Sequence, residues 1–495
     1  MLHNLESIQT YFSSELVLFL GIVLLLWASV NKKQDRARTC AILAVSVLAF
    51  SLVAGVFTHF SQELLLFHGL VALDAFGQFF KIIITFTAII VVVLATRSND
   101  LDGSPKPEFY ALLITLTLGL TILSTANHLL MIYLAVEMSS LVSYVLAGYI
   151  TENTRSDEAG LKYVLYGGVA SAVMLFGMSL LYGVTGEMGL VSIREFLISH
   201  PVDPMILFLA VIMIFAGLGY KMAVVPFHMW SPDVYEGAPL PVTAYLSVAS
   251  KAGGFAVTLR FFLVGFVGAS SKDLWMALGG IDWPLLIALL SATTMTVGNL
   301  LALHQQNIKR FLAYSSIAHA GYLLMGLVAV SRAGVEAVLY YFAIYFLMNL
   351  GAFVVAQVLV NQGKTENMED YRGLVRQGPF GVFLSLSLTV FLFSLAGIPP
   401  FAGFVAKWYV FKAVIDSGYL WLAIVAVINS VVALYYYVRL IKFMLIDETQ
   451  TVLVLKNTHW RYAGIIFIFA SLVLLFGVYF SPIVKWAQVS AVMYY

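Results

Sequence analysis

Charge and cysteine are both scarce in this chain, and each shortage excludes a class of protein. Only 11% of its 495 residues are charged, 61% are hydrophobic, and the mean hydropathy is +0.93. A soluble globular domain carries about 25% charged residues, so this composition is typical of a polytopic membrane protein. The single cysteine, Cys40, cannot form an intrachain disulfide, a cysteine-ligated zinc site or an iron–sulfur cluster.

Motifs for redox cofactors and for nucleotides are also missing. The pair Gly217 and Gly219 lies inside an apolar run and not between a strand and a helix, so it is no dinucleotide fingerprint. The chain has no P-loop and no paired histidines at haem-ligand spacing. We therefore predict neither a cofactor nor a metal in this chain. The net charge of +1 gives no reason to expect a nucleic acid as a partner.

Long apolar runs fill the chain from end to end. At about 20 residues for each crossing, about fourteen membrane spans are expected. They lie near 14–30, 38–57, 72–96, 109–126, 128–150, 160–184, 204–229, 240–266, 274–303, 309–330, 334–361, 379–412, 418–446 and 462–486. Continuous apolar runs do not suit the alternating strands of a membrane barrel, so the predicted fold class is all-α.

The placement of lysine and arginine predicts the topology. With the connection at 31–38 in the cytoplasm, most basic residues outside the spans fall on that same side, as the positive-inside rule requires. Both termini then face outward. The N-terminus lacks the basic region and cleavage site of a secretory signal, so the first run is expected to be a retained span. We predict a multi-pass protein of a bacterial inner membrane, although an organelle-encoded copy would look similar.

A weak internal repeat accompanies two interrupted spans. The pattern E-A-x-L-x-Y occurs at 158–163 and again at 336–341, five spans apart. Because five is odd, the two copies run in opposite directions. The span after each copy is broken, by Pro226 in one case and by Pro399 and Pro400 in the other. Paired broken helices in inverted halves indicate an ion or substrate site at the membrane midplane.

Three lysines lie within apolar runs, namely Lys221, Lys251 and Lys407. Burying an ammonium in hydrocarbon costs roughly 2.5–3.5 kcal/mol, so such residues face a protein interior or a wet cavity and usually mark an ion path. Glu137, in the fifth run, is the expected partner of Lys221. A static buried ion pair that fixes packing is the alternative for these two residues.

The other two lysines, Lys251 and Lys407, differ in their sequence surroundings. Gly253 and Gly254 follow Lys251 and let a neighbouring helix approach. No acidic residue accompanies Lys407 between positions 397 and 411. An unpaired lysine is hard to explain as structural, so we expect a functional role for Lys407. The charge of Lys251 is expected to switch if the pairing of Glu137 changes.

Histidines and further intramembrane charges give weaker signals. His319 is expected either to relay protons or to serve as a hydrogen-bonded core residue, and His228 either to assist proton entry or to cap the broken segment. Lys81 lies seven residues after Asp74, which predicts a structural pair on one helix face. Arg260 is expected to reach the outer interface.

Three long stretches resemble a known family. Residues 221–255 (KMAVVPFHMWSPDVYEGAPLPVTAYLSVASKAGGF), 298–322 (GNLLALHQQNIKRFLAYSSIAHAGY) and 394–408 (SLAGIPPFAGFVAKW) look like the proton-translocating antiporter-like subunits of respiratory complex I and of multisubunit cation/proton antiporters. The segment PDVYEGAP is similar to that of the subunit N branch. His304 departs from the arginine expected in many relatives.

The resemblance implies a fold and a division of the chain. It implies two inverted five-helix repeats at 109–268 and 269–446, each with a broken helix, flanked by N-terminal helices at 1–108 and a C-terminal helix at 447–495.

The resemblance also implies roles and partners. Glu137 and Lys221 would gate a half-channel, Lys251 would be the central relay, Lys407 the terminal lysine, and His319 a lining residue. The partners would be other complex I membrane subunits, and FMN, iron–sulfur clusters and quinone would be bound elsewhere in the complex. Quinone reduction there would drive the protons. The alternatives are a subunit of a multisubunit sodium/proton antiporter and a non-pumping scaffold or solute carrier.

Overall fold

The structure, a computed structural model, describes residues 12–30, 36–57, 64–101, 106–151, 153–269, 275–363, 365–448 and 460–493. Within these ranges long apolar helices make up nearly the whole molecule. Twelve of the described helices are long and apolar enough to cross a membrane, and a bent pair of helices near the C-terminus would make thirteen. The basic residues Lys32, Lys33, Lys272, Lys364 and Lys456, used in the topology prediction, lie outside the described residues.

As far as Gly265, the helices and strands are α1 Ser13–Val30, α2 Arg36–Phe57, β1 Leu64–Leu66, β2 Val71–Leu73, α3 Ala75–Ala95, α4 Pro107–Thr125, α5 Leu129–Ala147, α6 Thr154–Thr185, α7 Leu190–Ser199, α8 Pro204–Met222, α9 Trp230–Gly237, α10 Leu240–Tyr245 and α11 Lys251–Gly265. The remainder comprises β3 Val267–Ala269, β4 Trp275–Ala277, α12 Trp283–Ala302, α13 Ile308–Val328, α14 Arg332–Asn361, α15 Gly378–Ala396, α16 Ala402–Asp416, α17 Leu420–Leu445, α18 Trp460–Val478 and α19 Ser481–Ser490.

Every predicted apolar run contains a helix, so the all-α membrane fold is confirmed. The difference between about fourteen spans and twelve has local causes. The described apolar part of α1 is short, and α18 is followed after a break by α19 at an angle of 87°. The predicted run 379–412 consists of two helices, α15 and α16.

Elements outside the hydrophobic pattern were not predicted. They are the short helices α7 and α9 and two antiparallel hairpins, in which Leu64 pairs with Leu73 and Val267 with Ala277. The second hairpin shortens the predicted run 274–303. Gly279 and Gly280 turn the chain at φ +81° and +67°, and α12 begins only at Trp283.

Burial sorts the helices into a centre and a periphery. The most apolar stretches of Leu240–Gly265, α13 and α14 are 100%, 94% and 94% buried, whereas those of α2, α6 and α17 are 39% buried. A helix that is apolar all round and fully enclosed belongs to the core, while one with an exposed apolar stripe faces lipid. The helices that carry Lys251 and His319 are therefore central.

Both predicted helix breaks are present. Helix α8 ends at Met222, and Ala223 then adopts a left-handed conformation at φ +59° before the cis Val225–Pro226 bond. Helix α15 ends at Ala396, followed by Gly397 at φ +85° and the cis Pro399–Pro400 bond. Proline has no N–H and cannot continue a helix, so each break follows from the sequence.

Two predictions about peripheral charges are wrong. Asp74 caps α3 by accepting a hydrogen bond from Gly77 N, and its carboxylate binds Arg260 at 2.7 and 2.8 Å. Lys81 pairs with Glu15 of α1 at 2.5 Å. Seven residues along a helix separate Asp74 and Lys81 by roughly 10 Å, too far for direct contact. Arg260 does not reach an interface, because its side chain is 0% exposed.

Candidate functional site

Lys221 lies in the last turn of α8, next to the first helix break, and is buried. Its Nζ donates a hydrogen bond to Ser140 Oγ of α5 at 3.2 Å. Gly254 of α11 lies against its side chain, since a Cβ there would be 3.4 Å from Lys221 Cγ. Helices α5, α8 and α11 thus meet at the side chain of Lys221.

The direct ion pair predicted between Glu137 and Lys221 is absent from this structure, although both residues are described. Glu137 lies one helical turn before Ser140 on α5 and is half-buried. Its Oε1 is buried and accepts no hydrogen bond. The ammonium of Lys221 is therefore held by the hydroxyl of Ser140, and the carboxylate of Glu137 lies one turn from Ser140 on α5.

Lys251 begins α11 immediately after a π-helical turn at Leu246–Ser250. Its Nζ donates to the backbone carbonyl of Ser316 on α13 at 2.5 Å. A π-turn inserts one residue into a helix and redirects the next side chain, and such turns are frequent at functional sites. Gly253 admits Leu120 of α4, because a Cβ at this position would lie 2.9 Å from it. The predicted close approach of a neighbouring helix is therefore confirmed.

Lys407 lies in α16, just beyond the second break. Its Nζ donates to the carbonyl of Ala396 at 2.8 Å and to Ser430 Oγ of α17 at 3.2 Å. The same atom lies 4.5 Å from the ring centroid of Tyr322. A cation at the C-terminal carbonyls of a helix is stabilised by the helix dipole, and a tyrosine face stabilises it further. No carboxylate pairs with any of the three lysines in the described part of the chain.

Helix α13 contacts both Lys251 and Lys407. Ser316, His319 and Tyr322 are spaced by three residues and share one face of this helix. Ser316 holds Lys251 by its carbonyl, and Tyr322 lies beneath Lys407. His319 lies between them on the same face.

Both ring nitrogens of His319 face phenol hydroxyls. Nδ1 lies 2.7 Å from Tyr341 Oη and Nε2 lies 3.4 Å from Tyr437 Oη. Tyr437 Oη is in turn 2.5 Å from Ser315 Oγ. A neutral imidazole donates at one nitrogen and accepts at the other, so it can pass a proton between two hydroxyl groups.

A further hydrogen-bonded chain leads away from Lys407. Ser430 Oγ lies 3.4 Å from Tyr322 Oη, which accepts a hydrogen bond from Asn299 Nδ2 at 3.3 Å. Asn299 Oδ1 accepts from Tyr436 Oη at 2.9 Å. Sequence reasoning missed these residues and also Ser140. The available signal was polar side chains inside runs predicted as spans.

His228 and the helix breaks are placed differently from the lysines. His228 is buried in the segment between α8 and α9, its carbonyl accepts from Ser231 N at 3.0 Å, and its Nδ1 has no hydrogen-bond partner. No hydrogen bond joins it to the three lysines among the described residues. Pro226, Pro399 and Pro400 lie at the breaks themselves.

The acidic residues of PDVYEGAP form an ionic network around α9. Asp233 binds Lys162 of α6 at 2.5 Å and Arg310 of α13 at 2.6 Å, and Glu236 binds Arg310 at 2.8 Å. Burial opposes ionisation of Asp233, but the hydrogen bonds from Lys162 and Arg310 outweigh it and hold the pKa of this carboxyl below its usual value. The network fastens α9 to one helix from each half of the chain.

The site is a row of buried amines, an imidazole and hydroxyls. Each of these groups can bind and release a proton or pass one along a hydrogen bond. No group of three or more metal-ligating side chains lies together in the described ranges.

Comparison with known proteins identifies the family and the fold of this chain. Residues 126–433 match the family model for the NADH:quinone oxidoreductase/Mrp antiporter transmembrane proteins. The chain is 41% identical to NADH-quinone oxidoreductase subunit N of Anaeromyxobacter sp. (strain Fw109-5), over 98% of this chain and 97% of that one.

Solved structures share the fold. A chain of respiratory complex I from Thermus thermophilus with bound aureothin is 30% identical, with a TM-score of 0.79 over 95% of this chain and 98% of that one. A chain of the Mrp complex from Dietzia sp. DQ12-45-1b has a TM-score of 0.80 at 20% identity, covering 98% and 97%, which shows a common fold alone. The chain therefore belongs to the antiporter-like membrane subunits of NADH:quinone oxidoreductase, in the subunit N family.

Proposed function

We propose that this chain translocates protons across the membrane as a subunit of a proton-pumping NADH:quinone oxidoreductase. The observation that supports this most directly is the α13 face on which Ser316 binds Lys251, Tyr322 lies against Lys407, and His319 stands between these two residues in sequence. A static charge cluster would pair these lysines with carboxylates, whereas here a carbonyl, a hydroxyl and an aromatic face hold them. Such neutral partners let an amine exist with or without its proton.

The relay begins at Lys221, which exchanges between two partners. In the structure Lys221 donates to Ser140, and Glu137 lies one turn away. When the carboxylate approaches, Coulomb attraction favours the protonated amine; when it withdraws, the buried amine releases its proton. The motion of Glu137 relative to Lys221 thus controls loading.

The released proton then passes from Lys221 towards Lys407 in separate steps. Lys251 accepts it and is held as an ammonium by Ser316 O. His319 takes the proton at one nitrogen and gives another from the opposite nitrogen, and Lys407 receives it beside Ala396 O. When the next proton reaches Lys251, both lysines are ammonium groups, and because they repel each other in a low dielectric the proton of Lys407 leaves outward.

The energy and the partners belong to the rest of the assembly. We propose that quinone reduction, carried out with FMN and iron–sulfur clusters of partner subunits, changes the charge next to Glu137. The neighbours in the membrane would be other antiporter-like and small membrane subunits. We place the chain in a bacterial inner membrane with both termini outward. Its two five-helix repeats, 109–268 and 269–446, would each hold one half-channel.

A second candidate is a subunit of a sodium/proton antiporter with no redox partner. Its support is the fold shared with the Mrp complex of Dietzia. Gentle purification of the tagged chain from native membranes separates the two candidates. Co-purified flavin and iron–sulfur absorbance supports the oxidoreductase, whereas a colourless complex that exchanges sodium for protons supports the antiporter.

Proton pumping by lysine variants tests the relay itself. Replacing Lys221 or Lys407 by alanine is expected to abolish or sharply reduce protons pumped per NADH in reconstituted vesicles while the complex still assembles. Arg332 is half-exposed and pairs with Glu336 on its own helix at 3.1 Å, so Arg332→Ala gives a control that should pump normally. An unchanged proton-to-NADH ratio in both lysine variants rejects the relay.

A further inference from the structure

A cavity of about 520 Å³ opens between α2, α3 and α4, and its described lining includes none of Lys221, Lys251 and Lys407. Two guanidinium groups line it, from Arg38 in the first turn of α2 and from Arg97 just after the end of α3. Ser46, Thr96 and Tyr110 supply hydroxyl groups. Neither Asp nor Glu occurs among the described residues that line it. The cavity therefore suits an anion.

The position of the cavity puts its basic end at the membrane boundary. Arg38 and Arg97 both lie where membrane-crossing helices begin or end, which is the level of the lipid headgroups. Basic pockets between transmembrane helices at this level attract anionic lipid headgroups. The polar end of the cavity thus meets the depth at which lipid phosphates occur.

The opposite end of the cavity continues as an apolar face. Ile42 lines the cavity and is 59% exposed. Phe50, Val53 and Phe57 follow on α2, with more than half of each side chain exposed. From Ile42 to Phe57 this face extends about 22 Å, more than the ~15 Å of one leaflet of hydrocarbon. Charge at one end and an apolar strip along the other fit a phospholipid better than a free anion.

We propose that this cavity is a binding site for an anionic phospholipid, with the phosphate between Arg38 and Arg97 and the acyl chains along the exposed face of α2. Arginine forms paired hydrogen bonds with phosphate oxygens, and the hydroxyl groups add further donors. A bound lipid fills the space between α2, α3 and α4. It thereby joins the flanking helices 1–108 to the remainder of the chain.

The test measures lipid binding by the whole complex that contains the chain. The complex is delipidated in detergent, incubated with phosphatidylglycerol, and its bound lipid counted by native mass spectrometry. The double variant Arg38→Gln/Arg97→Gln is expected to retain one lipid fewer, with about 10- to 30-fold weaker binding. The control Arg376→Gln/Lys442→Gln removes two exposed charges and should bind as the unmodified complex does.

Several outcomes overturn the proposal. They are equal retention by the two double variants, equal retention of zwitterionic phosphatidylcholine, and displacement of the lipid by inorganic phosphate, which would indicate a free-anion site. Should the arginine variant fail to assemble, cryo-electron microscopy of the unmodified complex in phosphatidylglycerol nanodiscs decides. Lipid density between Arg38 and Arg97 supports the site, and an empty cavity rejects it. None of these measurements depends on proton pumping.

Discussion

The ammonium of Lys407 binds the carbonyl of Ala396, the last residue of the preceding helix, at 2.8 Å. The lysine that follows the second break thus closes the end of the helix that the break terminates. The contact combines a hydrogen bond with the favourable field of a helix C-terminus, and it fixes the position of the lysine at which the proposed relay ends. Anything that widens the break also moves the ammonium.

Gly397 is predicted to be intolerant of a side chain. Its φ is +85°, and a Cβ would lie 2.7 Å from Lys407 Cδ. Gly397→Ala should cost about 1–2 kcal/mol for the left-handed backbone and displace Lys407 from Ala396 O. We expect lower proton pumping per NADH in reconstituted vesicles at nearly normal NADH oxidation. Gly183→Ala in α6, where a Cβ meets nothing within 4 Å, is the matched control. Equal loss in both variants contradicts the prediction.

The phenol partners of His319 are predicted to be needed for coupling. Tyr341→Phe removes the hydroxyl 2.7 Å from Nδ1 and leaves a buried nitrogen unsatisfied, at a cost of about 1–3 kcal/mol. Proton transfer through His319 should slow, which a stopped-flow measurement of vesicle acidification would detect. Tyr340→Phe, which removes a hydroxyl 3.4 Å from Phe476 O, provides the comparison. Indistinguishable acidification rates would show that His319 is only a core residue.

The buried pair of Asp74 and Arg260 is predicted to hold the flanking helix α3 to α11. Either Asp74→Ala or Arg260→Ala alone leaves an uncompensated buried charge, at a cost of about 3–5 kcal/mol. We expect a sharp fall in the amount of assembled complex, measured by native gel electrophoresis. The double variant Asp74→Leu/Arg260→Met removes both charges and should recover assembly. If it is no better than the single variants, ion pairing is not what the fold requires here.

The ionic network around α9 is predicted to make stability depend on acidity. Because the folded pKa of Asp233 is lowered, its ionisation stabilises the fold fully above the unfolded value of about 3.9, and this contribution is lost as the pH falls through the folded pKa. Asp233→Asn should therefore lower the melting temperature by a constant amount between pH 5 and 8. The decrease in melting temperature should become smaller below about pH 3.9. A deficit independent of pH down to 3 would assign the effect to packing.

The hydrophobic pattern alone located the spans because each crossing must satisfy its own backbone hydrogen bonds in lipid. The breaks at Pro226 and at Pro399–Pro400 were equally readable, since proline cannot donate. Pairing was not. Sequence spacing suggested Lys81 for Asp74, but the partner is Arg260, 186 residues away. Contacts between helices distant in sequence leave no periodic signal.

By itself, the sequence determined that this is an all-α membrane protein with midspan lysines beside two broken helices. The cost of burying an ammonium in hydrocarbon and the missing N–H of proline are properties of single residues. Only the tertiary structure decided that Lys221 binds Ser140 instead of Glu137, and that one face of α13 contacts both Lys251 and Lys407. Those relationships depend on how helices rotate and cross, and packing of the whole core sets both.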